Sequence, residues 1–466
     1  MKLKKFTIGI SNLEDLLGTI IAPYTILIAG HPGSGKTTLA ASVCYANALG
    51  GHKCLYLSLY EDKEKFYRFM DKLGLRFTDV ESRGLFKYVS LPLTLNVNDI
   101  VNAIGEVVSE GYDIVVIDSV TALLESIEGS ATKRAWLLNY FYQLSKLING
   151  LLILISELPY GEERLGLGSI EFITDSVLIL KHRVEERFLV RLLEIRKTRG
   201  APIYVAEIPF AIVQGRGIEI FTPPLLEKIP EQGEELSPPC NVHKETIGHF
   251  HRGFLVNVFY PSNTIYGKDA LIYVLAFAIK NSMKILLISY ISPPSTLIEL
   301  ISRTLERYGI DNEKALKIIE KYITVRAINP YAYSTSQLVA QELSLVNEFK
   351  PDIVVFHGAH VIRLIASNYA SIFREVYNEV MYLKSRGINI VRIGNHIDDY
   401  TTNVEASISD VTFRSVHEYH EDDIKTRIYV FRRYREPIVF SLSDFVKCLE
   451  ECVNIIRSEA FNLPNE

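Results

Sequence analysis

The sequence predicts an α/β chain of two tandem domains, each a mostly parallel twisted sheet with helices on both faces. Three observations carry this. Continuous apolar β-type runs alternate with helical patterns, the signature of strands buried on both faces. The same order of elements returns after a proline-rich break, an internal repeat at a domain-sized period. The chain has 466 residues, 48% of them hydrophobic, which is enough for two to three cores.

In the first half, Thr25–Ala29, Cys54–Leu59, Ile114–Ile117 and Leu151–Ile155 read as parallel strands, with helices over Thr37–Leu49 and Lys63–Lys72. Residues 222–253 hold five prolines and a Glu cluster and read as a break between domains. The expected limits are 1–225 for the first domain, 226–253 for a linker, 254–441 for the second domain and 442–466 for a C-terminal helix. In the second half, Phe254–Phe259, Ile285–Ser289, Ile353–Phe356 and Ile388–Ile393 occupy the places of the four earlier strands. The anchors keep their spacing: Lys36 to Asp118 is 82 residues and Lys268 to His357 is 89.

Composition excludes several classes. Net charge is −5, which disfavours broad nucleic-acid binding. No run of 18 apolar residues suggests a membrane span. The basic start Met1–Phe6 leads into no long apolar region, so secretion is not expected. The five cysteines, at 44, 54, 240, 448 and 452, form no CxxC pair and no dense framework. That pattern fits a reducing cytoplasm.

Four motifs carry chemistry. Gly30, His31, Pro32, Gly33, Ser34, Gly35, Lys36 and Thr37 fit GxxxxGK[ST] between a strand and a helix, and Thr38 follows. Glycines let backbone N–H groups face phosphate oxygens, and the helix N-terminus adds positive potential. Lys36 then reaches the β/γ-phosphates of ATP, and Thr37 offers a hydroxyl to Mg²⁺. Asp118 ends the strand YDIVVID. A carboxylate there sits beside the metal, although Asp after a strand also caps helices. Glu61, after the strand LYLSLY, is placed to orient the attacking water as general base, with a helix-start role as the other reading. Asp62 reads as the cap of the following helix. Lys197 and Arg199 stand in RKTRG at a strand end. They are either solvated cations or stabilisers of transition-state charge.

Together these residues resemble the KaiC/RadA branch of the RecA-type ATPases, KaiC more closely, over nearly all of the first copy. The opening TIGISNLEDLLG, the strand tip Ser156–Glu157, and the segments SIEFITDSVLIL and LEIRKTRG carry the likeness. The resemblance implies two RecA-like domains, binding of ATP with Mg²⁺, a homo-oligomeric ring that is a hexamer in the family, and Lys197 and Arg199 acting on a neighbour's ATP. One departure is that the first of the family's paired glutamates is Tyr60 here, which implies slow hydrolysis.

The second copy departs further. SNTIYGKD stands at the P-loop position, so Ser262 replaces the first glycine and Asp269 the hydroxyl residue. His357 replaces the metal-binding Asp, and Ser292 replaces Glu61. A pseudo-ATPase is expected, with Gly267 and Lys268 leaving room for weak nucleotide binding. Arg433 and Arg435 align with Lys197 and Arg199, either as retained fingers or as local partners of acidic groups. A live first copy followed by a dead second one also resembles GvpD-type P-loop proteins, regulators of gas-vesicle synthesis.

Other features are weaker. Cys240, His243, His249 and His251 could hold zinc but match no common spacing. Cys448 and Cys452 share a helix face and read as core. The expected function is a cytoplasmic, archaeal KaiC-like ATPase of low turnover, used as a nucleotide-dependent regulatory or assembly switch with a regulatory protein partner. A RadA-like recombination and repair ATPase is one alternative, though basic Gly-rich DNA loops are missing. A non-hydrolysing ATP-binding scaffold is the other.

Overall fold

The computed structural model describes residues 3–91, 97–127, 130–159, 170–185, 188–201, 203, 207–220, 228–261, 268–364, 369–420 and 423–462. The chain forms two compact units, Met1–Thr222 and Pro223–Glu466. Each is an α/β unit around one large mixed sheet.

The strands of the first unit are β1 (Lys5–Phe6), β2 (Ile20–Ile21), β3 (Tyr24–Gly30), β4 (Cys54–Ser58), β5 (Phe86–Ser90), β6 (Ile114–Asp118), β7 (Leu151–Glu157), β8 (Ser176–Glu185), β9 (Phe188–Thr198), β10 (Glu207–Val213) and β11 (Gly217–Ile220). Nine of them form one sheet in the order β11-β10-β9-β8-β3-β7-β6-β4-β5. From β8 to β5 the pairing is parallel, and the β8–β11 side is antiparallel. The central strands are mostly apolar and buried along nearly their whole length because both faces are covered. Ile26 and Ile28 face one core, shared with the helix Lys36–Leu49, and Leu27 and Ala29 face the other. That is the two-residue alternation of a strand. The helix Lys63–Lys72 begins at Asp62, whose carboxylate accepts from the Lys65 N–H at 2.8 Å, as the sequence predicts for a cap.

The second unit repeats this plan. Its strands are β12 (Glu235–Leu236), β13 (Phe250–His251), β14 (Leu255–Tyr260), β15 (Ile285–Ser289), β16 (Ile323–Ala327), β17 (Ile353–His357), β18 (Asn389–Asn395), β19 (Val411–His420), β20 (Asp423–Arg432) and β21 (Ile438–Phe440). The sheet order is β16-β15-β17-β18-β14-β19-β20-β21. It superposes in sequence order on β5-β4-β6-β7-β3-β8-β9-β10. One register device confirms the match. The Thr25 N–H donates to the Asp175 carboxylate at 2.9 Å, and the Leu255 N–H donates to that of Asp410 at 2.7 Å.

The segment 226–253, read from sequence as a linker, is not one over its described part. β12 and β13 pair around the helix Asn241–Thr246, as β1 and β2 pair around the helix Ser11–Leu17. Leu236, Cys240, Ile247 and Phe250 join the core of the second unit. The prolines and glutamates lie beside these anchors and hide the apolar pattern. The C-terminal helix Leu442–Asn462 packs on the same unit, against the helix Lys268–Lys280. Cys240 and Cys448 form a disulfide, which joins the helix Asn241–Thr246 to it and departs from the expectation of unpaired thiols.

Candidate functional site

The P-loop leaves β3 at the middle of the first sheet. Gly30 is flanked by β7 and β8, where a Cβ would lie 2.2 Å from the Leu180 carbonyl oxygen. Gly35 caps the helix Lys36–Leu49 with φ of +107°, and a Cβ there would press on Ile212 at 2.9 Å. Only glycine meets both demands. The Lys36 ammonium folds back on the Gly30 and His31 carbonyl oxygens at 2.9 and 3.0 Å. Burial pulls its pKa below the usual lysine value, and the charges of Glu157 and Asp118 push it back up. The Ser34 hydroxyl is buried with no partner among the described residues. A glycine-lined loop with an orphaned hydroxyl and an adjacent ammonium fits a polyphosphate chain.

Asp118 ends β6 opposite Ser58 of β4. The Thr37 hydroxyl donates to Asp118 Oδ2 at 2.9 Å, and the Tyr56 phenol donates to the same oxygen at 2.7 Å. Oδ1 keeps no hydrogen bond among the described residues. Burial raises the Asp118 pKa, against the hydrogen bonds from Tyr56 and Thr37 and the charge of Lys36. Thr37 and Asp118 therefore form a hydroxyl–carboxylate pair that fits Mg²⁺, a hard cation that takes one or two carboxylates and keeps water. Tyr56 is a site residue that the motif reading misses. It lies two residues before the end of β4, and only the sheet register brings its phenol to Asp118.

Glu61 follows β4 in a turn held by its own N–H, which donates to Ser58 Oγ at 3.0 Å. Its carbonyl accepts from the Tyr88 phenol at 2.8 Å, and its carboxylate lies 3.3 Å from the Lys65 ammonium. Glu61 also bears on Asp118 electrostatically, so the two carboxylates share one region. Tyr60 is 59% exposed, and partial burial with the charges of Glu125 and Glu157 raises its pKa. Glu157, at the tip of β7 beside Gly30, is thus close to both Lys36 and Tyr60. Its N–H donates to Thr121 Oγ1 at 2.8 Å.

Lys197 and Arg199 lie elsewhere. Lys197 pairs with Val177, and Val177 with Leu27, three residues before Gly30. At ~3.3 Å per residue this is roughly 10 Å down the sheet from the P-loop. The Lys197 ammonium points further away, onto the Glu171 and Thr174 carbonyls at 2.7 and 2.5 Å. Arg199 is paired with Asp175 at 3.0 Å. Neither reaches the phosphate site of its own chain.

The second unit repeats the scaffold with other side chains at the equivalent positions. His357 stands opposite Ser289 as Asp118 stands opposite Ser58. Its Nδ1 is 3.1 Å from Ser289 Oγ, and burial pulls it down to about 4, leaving a neutral ring at neutral pH. The Ser292 N–H donates to Ser289 Oγ at 3.0 Å, the same turn that holds Glu61. The turn survives and its carboxylate is gone. Tyr260 occupies the place of Gly30. Residues Ser262–Gly267, the altered P-loop, lie outside the described residues. The alignment of Arg433 and Arg435 with Lys197 and Arg199 needs correction. The Arg199 N–H donates to the Asp175 carbonyl, and the Arg433 N–H donates to that of Asp410, both at 3.0 Å. Arg433 therefore matches Arg199, and Phe431 stands where Lys197 does. Arg435 instead points to the Ile247 carbonyl at 3.5 Å.

No zinc site forms from the segment 240–251. Cys240 is in the disulfide, His243 is buried against Tyr273, and His249 is paired with Glu235 at 2.5 Å. Among the described residues no group of three or more His, Cys, Asp or Glu is placed to hold a metal.

Comparison with known proteins agrees with this geometry. Residues 6–224 match the family model of the KaiC ATPase. The match covers nearly the whole of the first unit and just under half of the chain. The circadian clock protein KaiC2 of Synechocystis is 36% identical over 74 residues, 16% of this chain and 13% of that protein. A UPF0273 protein of Thermotoga maritima is 26% identical over 241 residues, 47% of this chain and 96% of its own length. The circadian clock oscillator protein KaiC of Thermostichus vulcanus is 23% identical over 196 residues, 41% of this chain and 38% of that protein. The chain thus spans well under half the length of these KaiC relatives and nearly all of the UPF0273 protein. Two sheets of one strand order make the chain a tandem of RecA-like units. No helix among the described residues is long and apolar enough to cross a membrane.

Proposed function

We propose that this chain is a KaiC-like ATPase of low turnover that serves as a nucleotide-dependent regulatory or assembly switch, with chemistry in the first unit and a second unit that does not hydrolyse. The observation that supports it is the convergence of Lys36, Thr37 and Asp118 at the end of β3, with a tyrosine at position 60. In this reading Lys36 leaves the loop carbonyls for the β/γ-phosphates. Thr37 and Asp118 hold Mg²⁺, which neutralises phosphate charge when bound. Glu61 orients the attacking water and takes its proton. A single carboxylate, partly neutralised by Lys65, does this slowly.

Lys197 and Arg199 lie too far from their own P-loop to serve it, which suits action on the ATP of a neighbouring copy. The chain then works as a homo-oligomeric ring, a hexamer by analogy, and signals its nucleotide state to a protein partner. The setting is an archaeal cytoplasm. Intracellular proteins of hyperthermophiles carry disulfides such as Cys240–Cys448.

The test is ATP turnover per chain across a wide range of protein concentration, with Glu61→Gln as control. Turnover that rises with concentration and collapses in the variant is expected. Tight ATP binding without turnover at any concentration would replace this reading with a non-hydrolysing scaffold.

A further inference from the structure

The second unit holds an almost wholly apolar cavity of about 120 Å³, partly open, on the face of its sheet covered by the helices Lys268–Lys280 and Leu442–Asn462. Phe250, Phe254, Phe277, Phe413 and Phe440 contribute to its wall. In the first unit Phe210 and Ile212 of β10 reach under the start of the equivalent helix, against Gly35. An apolar cavity of ~150 Å³ stays dry and accepts a molecule of benzene size, so this one is of single-ring scale.

One polar group in that wall is unsatisfied. His243 is 1% exposed, with its ring stacked on Tyr273 at 5.4 Å and edge-on to Phe250 at 4.9 Å. Its Nδ1 is hydrogen-bonded to the Tyr273 phenol. Its Nε2 is buried and has no partner among the described residues. Burial holds the ring down to about 3, so it stays neutral. A buried orphan of this kind costs about the desolvation of one polar group unless something bonds it. A hydroxyl meets the need in either tautomer, since it both donates and accepts. The disulfide between Cys240, at the start of the His243 helix, and Cys448, in the cavity wall, joins the two elements that close the space.

We propose that this cavity is a binding site for a ring-sized apolar molecule bearing one hydroxyl, which seats its ring among the phenylalanines and its hydroxyl on His243 Nε2. Nothing in the nucleotide chemistry of the first unit requires such a site, and the proposal stands apart from it.

Phenol and toluene are isosteric probes that differ in the hydroxyl alone. The intact chain, with methyl groups isotope-labelled, is titrated with each. Phenol is expected to shift the methyl resonances of Val256, Val274, Ile428 and Leu449, which line the cavity, and to bind about ten-fold tighter than toluene, the worth of one hydrogen bond. His243→Phe should remove that preference while leaving ring binding, and Ala270→Leu, which fills the cavity, should abolish both. Absence of shifts at millimolar phenol in the unmodified chain would overturn the proposal. Equal affinity for the two probes, or shifts spread outside these methyls, would do the same. The measurements on the unmodified chain decide the matter even where a variant fails to fold.

Discussion

Tyr56→Phe isolates one hydrogen bond at Asp118, the carboxylate proposed to hold Mg²⁺. The phenol is fully buried and donates to Asp118 Oδ2 at 2.7 Å, and Thr37 supplies the other bond to that oxygen. Removing the hydroxyl leaves the ring packing against Phe66 and Tyr88 in place. A hydrogen bond to a charged group contributes about 1.5–3 kcal/mol, and most of that favours the ionised carboxylate. At ~1.4 kcal/mol per pKa unit, Asp118 should rise by about one unit from a value that burial has already raised. A raised carboxyl is harder to ionise, so Mg²⁺ must displace a proton at higher pH than before. Loss of an orienting partner behind a metal ligand costs roughly 10–100-fold in metal affinity. The expected result is a Mg²⁺ half-saturation at least ten-fold higher near neutrality, and an acid limb of Mg²⁺-dependent ATP binding displaced upward by about one pH unit. The assay is fluorescent-nucleotide binding titrated with Mg²⁺ from pH 5.5 to 8. A folded Tyr56→Phe chain with unchanged Mg²⁺ dependence and an unchanged acid limb would refute the assignment of Thr37, Tyr56 and Asp118 to one metal-binding unit.

Four further outcomes are expected. Glu61→Gln should lower turnover roughly 10²–10⁴-fold with ATP affinity retained, measured in single-turnover assays; equal rates would remove Glu61 as base. Arg199→Ala should lower turnover roughly 10³-fold at concentrations where copies associate, and should change stability little because the side chain is 60% exposed. Mixing it with Glu61→Gln chains should restore part of the activity if the finger acts between copies. Glu342 in the second unit is pushed up to about 7, by burial first and against its bonds to Tyr290 and Glu379. Its folded pKa lies above the unfolded one, so the stability it contributes is present at low pH and is lost as pH rises through about 7. Calorimetry should show the second unit melting lower at pH 8 than at pH 6, with Glu342→Gln flattening the difference. Arg363→Met should cost about 3–5 kcal/mol in denaturant unfolding, because it removes the two-point partner of the buried Glu405 carboxylate and leaves it only Arg392, 3.6 Å away; a loss below ~1 kcal/mol would show that Arg392 alone suffices.

Much of the fold is legible in the sequence because it rests on local signals. The strand at Ile285–Ser289 and the helix at Lys63–Lys72 match their apolar and capping patterns residue for residue. The P-loop is legible for the same reason, since its glycines, lysine and threonine are consecutive. What escapes the sequence depends on register. Tyr56 is one tyrosine among 26 until β4 and β6 pair. Arg435 looks like the partner of Arg199 because RRYRE resembles RKTRG, but the bond to the residue before β19 fixes Arg433 there instead. The segment 226–253 hides its anchors because Leu236, Ile247 and Phe250 are spaced by turns and prolines, not by a helical or strand period.

The middle of the second sheet carries a buried polar network where the first carries apolar side chains. Where the first unit places Leu27 and Leu154 on adjacent strands, the second places Asn257 and Arg392. Arg392 is buried over Phe356, 3.6 Å from Glu405, which a second buried cation, Arg363, also grips. The Asn257 amide donates to the Glu405 carbonyl at 3.0 Å. Each of these groups is tolerable only while the others remain. A glycine at 260 and an aspartate at 357, the residues at these places in the first unit, would leave this polar floor unchanged. Exchanging one of these groups for its apolar counterpart strands the others, so an apolar floor like that of the first unit requires several residues to change together.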